Sequence, residues 1–346
     1  MTDRSPALAL PDWLRPELQR LQQTAHSAVL LGGPGGAGGG GPGQLALAYH
    51  LAAAWLCDAP TEHGMCGACP SCGNLQAQSH ADLCVLVPES VSVATGLMLA
   101  PRAQMAWENK DAKPSQRIRV EAALEAVEFA QRTQSRQKGR VVLVYPAEGL
   151  NTEAANTLLK TLEEPPPNLR FVLATEQLTA VLPTLRSRCQ LQTLAWPDAQ
   201  GVRQWLAQQH PKASAADHEA CWHAAGGLPE KAAALLAAGL NAKTCQGLPS
   251  ALAQGQGGGV ERFAGPELVD LLQKVAHDAL AVVSGAAPRF FVQAEWPTGM
   301  RAMALQQWAK QLVDDRRHAG HPFQANLMLD AHLAMAQRAL HSAAKP

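Results

Sequence analysis

No lysine occurs before Lys110, and only 5% of the residues are aromatic. Charge is scarce as well. Asp, Glu, Lys and Arg make up 17% of the chain, and 29 basic side chains balance 29 acidic ones. A formal net charge of zero excludes a strongly basic coat for nucleic acid and an acidic tail, leaving room for a local patch only. From Leu21 to Cys57 there is no Asp, Glu, Lys or Arg. That stretch is not a membrane span: glycine and proline fill ten of the first eleven positions from Gly32, and the apolar part behind them is too short. Asp3, Arg4 and the prolines that follow do not make a signal peptide, so a soluble, cytoplasmic protein without membrane partners is expected.

What is present suits two to three domains, at roughly 150 residues each for a chain of 346. Hydrophobic residues reach 47%, enough for a sizeable core. Residues 1–195 alternate short apolar runs with helical patterns, the rhythm of an α/β domain with a parallel sheet. Ala28–Leu31, Val85–Val87, Val141–Val144 and Phe171–Ala174 read as strands, and Leu45–Cys57 as a helix. Another helix starts near Asn151, carries Ala155, Leu158, Leu159 and Leu162 on one face, and stops at Pro165-Pro166-Pro167. Ser90–Gln116 reads as an irregular insertion. After Trp196-Pro197 the pattern is helical, with a flexible loop at Gly255–Gly259, giving a small domain over 196–239 and a C-terminal domain over 240–346.

Four of the eight cysteines cluster as Cys57-x8-Cys66-x2-Cys69-x2-Cys72. Thiols at this spacing suit a closed, structural, tetrahedral Zn²⁺ site. An iron–sulfur cluster would want a further cysteine where Gln76 stands, and a redox pair fits two overlapping C-x-x-C units poorly. His63 is a possible substitute for one thiol. Cys84, Cys189, Cys221 and Cys245 are scattered and read as small buried residues.

A strand, a glycine-rich loop and a helix form the setting of a phosphate-binding loop, whose chemistry needs a Lys for the phosphates and a Ser/Thr for Mg²⁺. Gly43-Gln44-Leu45 occupies that place. The partner strand, which in such ATPases delivers an acid to hold Mg²⁺, ends in Tyr145-Pro146; Glu148 lies just beyond and reads as a solvated turn residue. The scaffold of an ATPase is present without its catalytic groups, which argues against a nucleotide kinase too.

Two segments narrow the choice. Asn156-Thr157-Leu158-Leu159-Lys160-Thr161-Leu162-Glu163-Glu164-Pro165-Pro166 and Leu185-Arg186-Ser187-Arg188-Cys189 strongly resemble the clamp-loader AAA+ subunits of bacterial DNA polymerase III, as does the cysteine module. Pro11-Asp12-Trp13-Leu14-Arg15-Pro16 looks like the start of the family's non-hydrolysing member. The matched pieces span residues 11–195. The resemblance implies a RecA-like AAA+ domain with a zinc module over 1–195, a lid over 196–239 and a helical collar over 240–346. It also implies a place in a DNA-directed DNA polymerase (nucleotidyltransferase) holoenzyme, in a ring with motor (gamma/tau) and delta subunits that loads a sliding clamp on primed DNA.

Gln44, Tyr145 and Pro146 favour the non-hydrolysing member over the motor, and Pro229 stands near the place of a lid arginine that touches nucleotide in active relatives. The glycine loop is longer than the family's. By the same resemblance Arg188 is an arginine finger presented in trans to a neighbour's ATP, with Arg186 a supporting or surface residue. Glu163 and Glu164 break a local rule, because acids at a helix C-terminus oppose its dipole; a functional contact and a solvated helix end both remain open.

Overall fold

The computed structural model describes residues 8–33, 43–108, 114–194, 198–316 and 325–341. Most of the long glycine loop, residues 34–42, lies outside them, as do Asp3, Arg4 and Trp196-Pro197. The chain divides into two compact units, Met1–Asp198 and Ala199–Pro346.

The first unit is built on a five-stranded sheet, all of whose pairings are parallel, in the order β2-β3-β4-β1-β5. In chain order its elements are α1 (Arg15–Gln22), β1 (Ala28–Gly32), α2 (Gly43–Leu56), α3 (Pro70–Gln76), β2 (Leu83–Leu86), α4 (Glu89–Thr95) and α5 (Pro101–Glu108). Then come α6 (Val120–Gln131), β3 (Arg140–Val144), α7 (Thr152–Glu163), β4 (Leu169–Thr175), α8 (Pro183–Arg186) and β5 (Gln190–Thr193). This is the sheet of the RecA-like AAA+ class. β1 and β3 are buried at every position, which is why they read as continuous apolar runs rather than alternating ones. α2 is buried at all positions but His50 and packs on β3 and β4, so it carries apolar residues all round. Asn151 caps α7 through its side chain, which accepts from the Ala154 N–H, and the helix ends just before the three prolines.

The sequence pattern misreads one segment and passes over two elements. Within Ser90–Gln116, of which residues 109–113 lie outside the described part, the chain is not irregular throughout. It forms α4 and α5, entered through Pro88 and Pro101, and each is too short to show a helical period. α6 supplies a helix that the sequence pattern did not reveal, and β5 a strand. Gln190–Thr193 is half exposed at the sheet edge, so its Gln-Leu-Gln-Thr carries no apolar run.

The second unit is helical: α9 (Ala199–Gln209), α10 (Ala215–Ala224), α11 (Pro229–Ala237), α12 (Ala242–Ala253), α13 (Gly265–Val283), α14 (Ala302–Arg316) and α15 (Ala325–Leu340). Ser214 and Asn241 open α10 and α12 with reciprocal capping boxes. One apolar cluster runs from Val202 to Leu340 and includes Leu268, Leu271, Leu272 and Val275 of α13. Gly255–Gly259 is a hydrogen-bonded turn rather than a loose loop: the Gly255 and Gln256 N–H groups return to Leu252 and Ala251, and the Gly259 N–H donates to Glu261. Among the described residues no helix is long and apolar enough to cross a membrane.

Candidate functional site

The four predicted thiols converge. Cys57 follows the end of α2, Cys66 sits on the connecting turn, Cys69 caps α3 and Cys72 lies in its first turn. Their sulfurs all lie within 4.8 Å of one another. The separations are 3.6 Å for Cys57–Cys72, 3.8 Å for Cys57–Cys69 and 3.9 Å for Cys66–Cys72. A tetrahedron with metal–sulfur bonds of about 2.3 Å has edges of about 3.8 Å, so the cluster has the dimensions of a metal centre.

Three backbone N–H groups aim at the sulfurs: Cys66 at Cys57, Gly67 at Cys72 and Cys72 at Cys69, over 3.3, 3.3 and 3.4 Å. Gly67, with φ of +76°, makes the left-handed step that turns its N–H inward. The N–H groups of Ala68 and Cys69 draw the Cys66 thiol down to about 6, while burial pushes Cys57 and Cys72 up. A cation at the centre is what would hold all four as thiolates. His63 takes no part: it is exposed beside Glu62.

The module is tied down from below. Ser71, fully buried, donates to the Leu56 carbonyl over 2.6 Å and meets His80 Nε2 at 2.8 Å. His80 Nδ1 accepts from the Asp82 N–H, so Nε2 carries the proton and donates to Ser71. Burial holds the His80 ring below its ordinary pKa, in keeping with the neutral ring this relay needs. Cys84, Cys221 and Cys245 are buried as read from the sequence; Cys189 is half-buried against the apolar core of the first unit.

At the C-terminal end of the sheet, β1 runs into the glycine loop. Gln44, at the second position of α2, is buried, and its amide lies so close over Gly33 that a Cβ there would collide with Nε2. A neutral amide therefore packs where the lysine of a phosphate-binding loop would stand. Tyr145, past the end of β3, is buried and its hydroxyl bonds Glu176. Glu148 is not the solvated turn residue its sequence position suggests. It accepts from Thr175 Oγ1 at 2.7 Å and from the N–H groups of Glu176 and Gln177 at 3.0 and 3.1 Å. Its partners sit 27 to 29 residues away in sequence, so no local pattern could reveal them.

At the opposite end lies Arg188. It follows α8 and precedes β5, whose Gln190 pairs with Val29 near the start of β1. Because the strands are parallel, Arg188 stands at the N-terminal end of the sheet, whereas the glycine loop leaves the C-terminal end. From the level of Val29 to Gly33 is four residues of strand, roughly 13 Å, and Arg188 lies further back still. Its guanidinium pairs with Glu163 through Nε and Nη2, and Nη1 donates to the Thr184 carbonyl over 2.8 Å. Glu163, in the last turn of α7, thus has a cation against the negative helix end. Arg186 is exposed on the surface.

A profile of the family described as "DNA polymerase III, delta subunit" matches residues 16–197. A DNA polymerase III subunit delta' of Pseudomonas aeruginosa is 36% identical over 224 residues, covering 65% of this chain and 60% of that protein. Its counterpart in Yersinia pestis is 31% identical over 279 residues, covering 80% of this chain and 74% of that protein. A DNA polymerase III subunit tau of Escherichia coli strain K12 is less similar, 26% over 181 residues, covering 52% of this chain and 23% of that protein. The match thus spans less than two thirds of the Pseudomonas protein's length.

Proposed function

Because the chain belongs to the DNA polymerase III delta-prime family, we propose that it is a non-hydrolysing ring subunit of a clamp loader, supplying Arg188 in trans to the ATP site of an adjacent motor subunit. The observation that carries this reading is the position of Arg188 at the end of the parallel sheet remote from its own glycine loop. A guanidinium so placed serves a phosphate on a neighbouring chain. There it neutralises charge on the transferring γ-phosphoryl group, as trans arginines do in other nucleotide-hydrolysing assemblies.

The other end of the sheet supports the same reading. Gln44 fills the space over Gly33, Tyr145-Pro146 stands where an acid would hold Mg²⁺, and Glu148 is engaged in holding the end of β4. The chain's own site lacks both the lysine and the metal-holding carboxylate that turnover needs.

The four thiols would hold Zn²⁺ as a closed structural centre that folds the excursion between α2 and β2, contributing folding free energy directly. Residues 1–195 act as the AAA+ domain, 196–239 as the lid and 240–346 as the collar. The partners are motor (gamma/tau) and delta subunits, with the sliding clamp and primed DNA reached through the assembled ring. Affinity capture of the tagged chain from its own cell extract, followed by mass spectrometry, tests the assignment. Recovery of motor and delta subunits in stoichiometric amounts supports it; a clean capture without either contradicts it.

A further inference from the structure

Glu163 and Arg188 are 25 residues apart and come from the two segments that define the family resemblance, yet they meet in one ion pair. An acid in the last turn of a helix faces the negative end of the dipole and is unfavourable there unless a cation accompanies it. Arg188 is that cation.

The contact is also directional. Nε and Nη2 of Arg188 lie on Glu163, and Nη1 lies on the Thr184 carbonyl, 2.8 Å away, with Ser187 Oγ at 3.4 Å. The guanidinium is thereby gripped along one side by a carboxylate and along the other by the backbone of α8. A guanidinium carries five N–H donors in a rigid fork, and the bonds to Glu163 and Thr184 use three of them. The Arg188 side chain remains 30% exposed, so the grip does not bury it.

We infer that Glu163 is a positioning residue for Arg188: it fixes the guanidinium in the pose from which it meets the neighbour's phosphate, and does not itself touch nucleotide. The inference rests on the reading of Arg188 as a trans finger. Its physical content is that a long, flexible side chain reaches a developing charge effectively only when it is held before the encounter, since a small misplacement costs rate rather than binding. Both partners are partly exposed, and pairs of that kind contribute little to stability, so their loss leaves the fold intact.

The test uses assembled rings in which only the adjacent motor subunit keeps an intact phosphate loop. Glu163→Ala should lower the clamp- and DNA-stimulated kcat roughly ten- to a hundredfold, with KM for ATP unchanged. Glu163→Gln, which keeps one acceptor oxygen for the fork, should fall between. Glu163→Ala combined with Arg188→Ala should be no slower than Arg188→Ala alone, because the acid acts only through the arginine. A kcat unchanged or raised in Glu163→Ala, a defect confined to KM, or a further slowing in the double variant would each overturn the inference. If Arg188→Ala is itself fully active, the finger reading fails and this inference with it. A defect in Arg188→Ala with none in Glu163→Ala removes the inference alone.

Discussion

Thr175 Oγ1 donates a 2.7 Å hydrogen bond to Glu148 Oε2 across the C-terminal ends of β3 and β4. The same carboxylate takes the N–H groups of Glu176 and Gln177, so one acid fixes the segment that leaves β4. Glu148→Ala removes the acceptor of Thr175 Oγ1 and of the Glu176 N–H, leaves the Gln177 N–H only its 3.1 Å bond to Thr175 Oγ1, and should destabilise the first unit by about 2 kcal/mol. Urea denaturation monitored by circular dichroism checks this; an unchanged midpoint would return Glu148 to a passive surface position.

The purified chain should hydrolyse no ATP above background, with or without primed DNA. Replacing Gln44 by Lys should not create turnover, because Tyr145-Pro146 still offers no carboxylate for Mg²⁺ and Glu148 is committed to β4. A coupled turnover assay decides. Mg²⁺-dependent hydrolysis that survives repeated purification would contradict the account of this end of the sheet.

One Zn²⁺ per chain is expected, held by Cys57, Cys66, Cys69 and Cys72. Elemental analysis should find zinc at unit stoichiometry, and Cys69→Ser should lower both zinc content and melting temperature. Iron in place of zinc, or neither, would refute the assignment. Ser71→Ala should weaken the module with the four ligands intact, since it removes the bridge between Leu56 and His80.

In the second unit, burial depresses the pKa of His332, with Asp315 acting in the opposite direction from 3.8 Å. The unfolded chain, with its histidines near 6.5, therefore takes up the proton first as pH falls. The stabilising effect of keeping His332 neutral is complete above that value and is lost as pH drops below it toward the folded pKa. Thermal melts between about pH 7.5 and pH 5.5 should show stability falling, and His332→Leu should flatten the decline. An identical slope in the variant would locate the acid sensitivity elsewhere, for instance at His80 or His210, which burial also depresses.

Four of the five strands and the whole thiol cluster were legible because each rests on local sequence. Buried parallel strands are apolar runs, and the clustered thiols recur at short spacing. β5 escaped because it is half exposed and its Gln-Leu-Gln-Thr carries no apolar run, whereas β2, at the other edge, is Leu-Cys-Val-Leu. α4 and α5 escaped because a helix of seven or eight residues shows barely two turns of period. The oddity of Glu163 was visible as a broken rule, but its explanation needed Arg188 to be brought against it by the fold. Glu148 showed nothing at all, since its partners arrive on another strand.

The central claim is that Arg188 acts on a neighbour's nucleotide, and the most direct measurement compares wild-type and Arg188→Ala subunits in fully assembled clamp-loader rings. Arg188→Ala should assemble normally, because the side chain lies outside the apolar core of its own unit. It should abolish hydrolysis at the single adjacent motor site, where a trans arginine is worth on the order of 10³–10⁵ in rate. Total ATPase should fall in part and clamp loading further, since loading needs the sites to act together; Arg188→Lys should rescue poorly, lacking the planar fork. Equal ATPase and equal clamp loading in correctly assembled rings would contradict the account and leave Arg188 as the surface partner of Glu163.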